Sequence, residues 1–328
     1  MSKIILGIHG LGNKPPARLL GRWWKAALKE GLRANGHPRR LFKFKLVHWA
    51  HFLYPKPLDH NVRDRKHPLY IDNPYIPAGI AIKQRPNKLR KKVLAYIQRQ
   101  LAKIILNDDF SINYASVSDL IIRRYFSDLG IYYAKTCLDR KKATRPAKDV
   151  LREELARMLR KCKRKDILLI GHSMGSIIAY DVLTSAVPDI NIHTLVTVGS
   201  PLGLPPVMLK ILAEQNKKPK KHITLRTPEN IIKAWHNFAD PADKIAVNYK
   251  LSDDYDKNSK NVRAIDAIIY NNYEYQGERN PHSIYGYLRT PEFAHVIYNF
   301  LSEGRPKSLI RLSDNINQLL DKMRWKKL

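Results

Sequence analysis

Serine, histidine and aspartate, the residue types that together activate an oxygen nucleophile, occur here in settings that suit that chemistry. Ser173 lies within GHSMG (171–175). A serine hydroxyl attacks a carbonyl only when a base takes its proton and an acid orients that base. The pattern G-x-S-x-G is weak alone, since chance supplies it in roughly one chain in ten at this length. Its setting carries more. DILLI (166–170) before it reads as a buried strand, and SIIAYDVL (176–183) after it reads as a helix. A sharp strand-to-helix turn projects the serine from the sheet edge, with glycines on either side relieving the crowding. It also puts Ser173 at a helix N-terminus, where free N–H groups favour a developing negative charge.

Such a serine expects its acid and then its histidine later in the chain. KAWHNFA (233–239) reads as a strand, and the polar turn DPADKIA (240–246) follows it. Asp243 and Asp240 both fit the acid. Asp243 is favoured because the chain returns to apolar packing directly after it, while Asp240 could cap the turn before Pro241. The base is expected at His282 in NPHSIYGYL (280–288), a loop after the last strand-like segment. His295 falls inside a helical pattern, His236 inside a strand and too early, and the side chain of His172 is expected to point away from the reacting face. An oxyanion needs two donors. The Met174 N–H, next after the nucleophile, is one. HGLGN (9–13), after the first apolar run, supplies the other as the Leu11 N–H, with Gly10 and Gly12 allowing close backbone approach. The same stretch lacks the spacing of a nucleotide-binding loop.

These residues need a scaffold. Strand-like runs occur at 3–9, 43–50, 166–170, 194–198, 233–239 and 264–270, with helical patterns at 17–32, 148–162 and 174–186. The alternation implies an α/β fold, a mainly parallel doubly wound sheet with helices on both faces. The expected division is a core of 1–50 and 146–305, interrupted by a mainly helical cap or lid at 51–145 with helices near 86–107 and 116–137. A basic amphipathic helix follows at 306–328, with Ile316, Leu319, Leu320 and Met323 on one face. No apolar run approaches the ~20 residues of a membrane-spanning helix. The opening run is too short for a signal peptide and reads as the first strand.

The 328 residues carry 59 Lys+Arg against 29 Asp+Glu, a formal charge of +30. That attracts polyanions and says nothing of fold. Cys137 and Cys162 are the only cysteines, too few for a zinc site or a disulfide framework. No metal and no cofactor is expected. The two cysteines suit a reducing compartment, so a cytoplasmic location is expected, with peripheral contact to an anionic membrane.

HGLGN, GHSMG, VGSPLG (198–203), DPADKIA and the late histidine together resemble the α/β-hydrolase superfamily, most closely its lipase- and esterase-like members with an HGxGN opening. The resemblance covers about 1–50 and 165–300 and leaves out the insertion. It implies a triad of Ser173, Asp243 and His282, an oxyanion hole of Leu11 and Met174, and hydrolysis of an acyl ester or lipid. No two strands precede residue 3, so a sheet shorter than in larger members is expected. Members cleave several bond types, so the resemblance does not name the substrate. An acyltransferase using the same acyl-enzyme is a second reading. A non-catalytic basic module holding membrane or nucleic acid is a third, with nucleic acid the weaker partner because no binding signature accompanies the charge.

Overall fold

The computed structural model describes residues 2–37, 41–78, 105–106, 112–113, 129–215, 225–246 and 248–306. Six strands form its central sheet: β1 (Lys3–Ile8), β2 (Phe44–Val47), β3 (Asp166–His172), β4 (Ile192–Val198), β5 (Ile231–Ala239) and β6 (Ala264–Ile268). Their spatial order is β6-β5-β4-β3-β1-β2, and every pairing is parallel.

Successive strand side chains point to opposite faces, so an unbroken apolar run feeds two cores at once. Ile4, Leu6, Ile8, Ile167, Leu169, Leu195 and Trp235 enter one core. Ile5, Leu168, Ile170, Val196, Val198 and Phe238 enter the other. Helices α2 (Ala147–Cys162), α3 (Met174–Asp181) and α4 (Pro205–Glu214) cover the first face. Helices α1 (Ala17–Ala34), α5 (Ile284–Tyr287) and α6 (Pro291–Ser302) cover the second. In α1 the buried residues Leu20, Trp24, Ala27, Leu28, Gly31 and Leu32 recur at helical spacing. Trp24 lies directly on β1, where a Cβ on Gly7 would stand 2.7 Å from its ring. Helix α6 starts at Thr290, whose hydroxyl accepts from Phe293 N–H, and has Pro at its first position, two start signals visible in the sequence.

Several boundaries differ from the sequence expectation. The run 43–50 stops being a strand at Val47, and Ala50–Phe52 forms a 3-10 turn. Trp49 turns the chain inward there: its backbone N–H donates to His9 Nε2 (3.2 Å) and its indole N–H to His9 O (3.0 Å). The helix expected over 174–186 ends at Asp181 and widens into a π turn at Val182–Ala186. Thr184 and Ser185 hydroxyls donate back to the Tyr180 and Asp181 carbonyls in that turn, competing with regular helix bonding.

In the insertion, residues 129–134 are helical as expected, but Thr136–Leu138 pairs antiparallel with Thr144–Pro146. Ile105–Leu106 pairs with Ile112–Asn113 instead of ending a helix. The rest of the two expected insertion helices, and the expected C-terminal helix beyond residue 306, lie outside the described residues. Residues 53–78 form an irregular strap fastened at both ends. Leu58 N–H donates to Lys14 O (3.0 Å) and Asn13 Nδ2 to Lys56 O (2.8 Å). At the far end Tyr273 OH donates to Pro74 O (2.6 Å), and Tyr75 OH and Ala78 N–H donate to Glu30 (3.0 and 2.6 Å). No helix among the described residues is long and apolar enough to cross a membrane.

Candidate active site

Strand β3 runs straight into Ser173, whose φ of 53° and ψ of −129° lie where a side chain is strained. Its neighbours hold it there. Ser173 N–H donates to Val198 O (3.0 Å), while Ser176 N–H and Oγ both donate to Ser173 O (2.9 and 2.6 Å). A Cβ on Gly171 would sit 2.8 Å from Ser176 Cα, and one on Gly175 2.4 Å from Ile8 O. Both flanking glycines are thus set by backbone contact, the physical content of G-x-S-x-G. Ser173 is 2% exposed, and its hydroxyl has no hydrogen-bond partner among the described residues.

The late loop brings His282 and Asp243 together. His282 Nδ1 lies 2.9 Å from Asp243 Oδ1 and 2.8 Å from Oδ2, so Nδ1–H donates and Nε2 is left as the basic nitrogen. Asp243 is fully buried and also accepts from Ile245 N–H (2.9 Å) and Tyr287 OH (2.8 Å). Burial is the largest influence on its carboxyl and opposes ionisation. His282, Ile245 and Tyr287 together outweigh it and hold the group below its ordinary value. Gly199, at φ 53°, leaves the room: a Cβ there would approach Asp243 Oδ2 to 2.9 Å and His282 Nδ1 to 3.1 Å.

Asp240 does other work. Its carboxylate accepts from Ala242 N–H (2.8 Å), Asn271 N–H (2.6 Å) and the Arg279 guanidinium. Of the two acids left open by the sequence, only Asp243 reaches the histidine. Asp240 instead fastens the segment that carries it. Asn271 completes the fastening. Its Nδ2 donates to Pro281 O (2.9 Å) and Ser283 O (2.7 Å), the carbonyls on either side of His282. Helix α5 closes on this amide so tightly that a Cβ on Gly286 would overlap Asn271 Oδ1 at 1.6 Å.

His172 departs from expectation. Along β3 it continues the series Leu168, Ile170, so its side chain emerges on the α1–α5 face beside the late loop. Its Nε2 donates to His282 O (2.9 Å), and the two rings lie 4.9 Å apart. Burial, with the neighbouring His282, lowers its pKa to about 3, so it holds the His282 backbone as a neutral ring.

The HGLGN loop is organised by His9. The Trp49 N–H donates to His9 Nε2, so the ring proton is on Nδ1 and donates to Gly10 O (2.8 Å). A trans peptide directs its N–H opposite to its carbonyl, so this bond aims the Leu11 N–H away from His9. Gly10 lies against Ser173: a Cβ there would meet Ser173 Cβ at 2.7 Å. The Lys14 ammonium gathers the loop's carbonyls, donating to Leu11 O, Gly12 O (3.3 Å) and Asn13 O (3.5 Å). Met174 opens α3 with its side chain buried in the core, and its N–H is one of the donors a helix start leaves free. No acceptor among the described residues takes the Leu11 N–H.

Ser173, His282, His172 and this loop line a cavity of about 550 Å³ at the C-terminal ends of the strands, where open α/β sheets bind ligands. Leu20 and Trp24 of α1, Ile284 and Tyr285 of α5, and Leu58 and Ile71 of the strap make its walls mainly apolar. A larger cavity of about 740 Å³ lies at the opposite ends of the strands, near Lys3, Lys43 and Asp166, away from Ser173. His9, Gly199, Asn271 and Tyr287 escaped the sequence reading. His9 and Gly199 left a signal, as members of HGLGN and VGSPLG.

The chain matches no curated protein. Residues 147–238, from α2 through most of β5, match the model of the PGAP1-like alpha/beta domain. The match holds β3, Ser173 and β4 and stops before Asp243. With the six-stranded parallel sheet, it is consistent with an α/β fold of the hydrolase type.

Proposed function

We propose that the protein is a serine hydrolase that cleaves a carboxylic ester through Ser173, His282 and Asp243. The observation that carries the reading is the Asp243–His282 pair, 2.8 Å apart, in the cavity that also holds Ser173 in its strained turn. Ser173 Oγ attacks the ester carbonyl and passes its proton to His282 Nε2, while Asp243 stabilises the imidazolium formed. The carbonyl oxygen becomes an oxyanion and accepts from the Leu11 and Met174 N–H groups. The tetrahedral adduct collapses, His282 returns the proton to the departing alcohol, and the acyl group remains on Ser173. Water, deprotonated by His282, then releases the acid. The apolar walls suit an acyl chain, and the insertion, of which residues 53–78 roof the cavity, serves as a cap.

Labelling with a serine-directed fluorophosphonate tests the nucleophile. Wild type is expected to label and Ser173→Ala not to label. Equal labelling of both would overturn the assignment. On a chain-length series of nitrophenyl esters, Ser173→Ala is expected to lose on the order of 10⁶ in kcat. Added alcohol acceptors distinguish hydrolysis from acyl transfer by the product formed.

A further inference from the structure

Helix α1 serves the core with one side and carries an unbroken row of cations on the other. Arg18, Arg22, Lys25, Lys29 and Arg33 follow at intervals of 4, 3, 4 and 4 residues, which keeps them within one narrow stripe about 22 Å long. All but Lys25 are exposed, and Lys25 lies over the Phe42 ring at 5.6 Å. The helix has one acid, Glu30, and it is turned away and engaged by Arg289 (2.7 Å) and Tyr75. Leu41, 92% exposed, lies in the approach to the neighbouring edge strand β2. Helix α2, on the opposite face of the sheet, is built otherwise: Asp149, Glu153 and Glu154 alternate with its cations, and Arg157 and Arg145 pair with them.

We propose that the exposed face of α1 docks on an anionic membrane surface. Charge complementarity supplies the attraction, about 1 kcal/mol per cation near such a surface. Leu41 offers an aliphatic group to the interface. One feature favours lipid over nucleic acid. No Phe, Tyr or Trp among the described residues is exposed, so among these residues no platform for stacking bases accompanies the charge. The docking stands on the charge pattern and goes beyond ester cleavage.

Co-sedimentation with vesicles tests it. Wild type is expected to bind phosphatidylcholine vesicles containing 30% phosphatidylserine, to bind pure phosphatidylcholine far less, and to release as salt rises. The triple variant Arg18→Gln, Arg22→Gln, Lys29→Gln is expected to lose about 100-fold in partitioning. A matched variant on the opposite face, Lys161→Gln, Lys163→Gln, Arg164→Gln, removes the same charge and is expected to lose less than about threefold. Equal losses in the two variants overturn the proposal, because net charge alone then explains binding. Binding of single-stranded RNA without binding of vesicles overturns it too. Fluorophosphonate labelling of each variant, run alongside, reports the integrity of the Ser173 site and judges the hydrolase reading separately.

Discussion

The two acids of the 240–246 turn separate by what they touch. Asp243 meets His282, and Asp240 meets Arg279 and two backbone amides. Asp243→Asn is therefore expected to lower kcat by on the order of 10³–10⁴ with the fold intact, because the ring loses the partner that fixes its tautomer. Asp240→Asn is expected to act the other way, reducing stability by about 1–3 kcal/mol as Arg279 and two backbone amides lose a charged acceptor. Steady-state kinetics and urea unfolding on the same two proteins check this, and the reverse pattern would reassign the acid. Asn271 touches neither Ser173 nor Asp243, so it is a positioning residue. Asn271→Ala frees the carbonyls of 281 and 283 and is expected to lower kcat about 10- to 100-fold while leaving KM nearly unchanged. A loss confined to thermal stability would show that it only holds the fold.

At the scale of elements, the order strand, Ser turn, strand, Asp turn, strand, His loop was readable because each step leaves a local mark. Apolar runs give strands, and Gly, Pro and Asn give the loops between them. Ser173, Asp243 and His282 follow from that order. The supports of the site were not readable, since each works through residues distant in sequence. Asn271 has no local signature in YNNYEY, and its fit depends on Gly286, 15 residues on. His172 was misdirected because the parity of β3 becomes visible only when Leu168 and Ile170 are seen in the same core. The strand ending at Val47 was likewise settled by Trp49 reaching back to His9, not by propensity. The seating of α3 against β1 can be tested at Gly175, where a Cβ would meet Ile8 O at 2.4 Å. Gly175→Ala is expected to cost about 1–3 kcal/mol in urea unfolding and to slow labelling of Ser173. A neutral effect would mean that the elbow is loosely packed.

For the whole molecule, buried neutral histidines tie stability to pH. Burial lowers His9 well below its ordinary value and His172 to about 3. The unfolded chain binds their protons near pH 6.5. Stability is therefore complete above that value and falls as pH drops from about 6.5 toward the folded values. At pH 5 each fully buried ring is expected to cost about 2 kcal/mol. Urea unfolding at pH 7.5 and pH 5 measures the loss, and His172→Gln is expected to remove one share of it. A flat profile between the two pH values would contradict the burial of these rings.

The strap at 53–78 also bears on how substrate arrives. It is tied to the HGLGN loop at Leu58 and Asn13 and to Glu30 and Tyr273 at its other end. A wall fastened at both ends screens by a fixed aperture instead of by swinging open. Discrimination against bulky esters is then made at entry. It appears as a falling capture rate, kcat/KM, while the turnover of whatever has already passed inside stays the same.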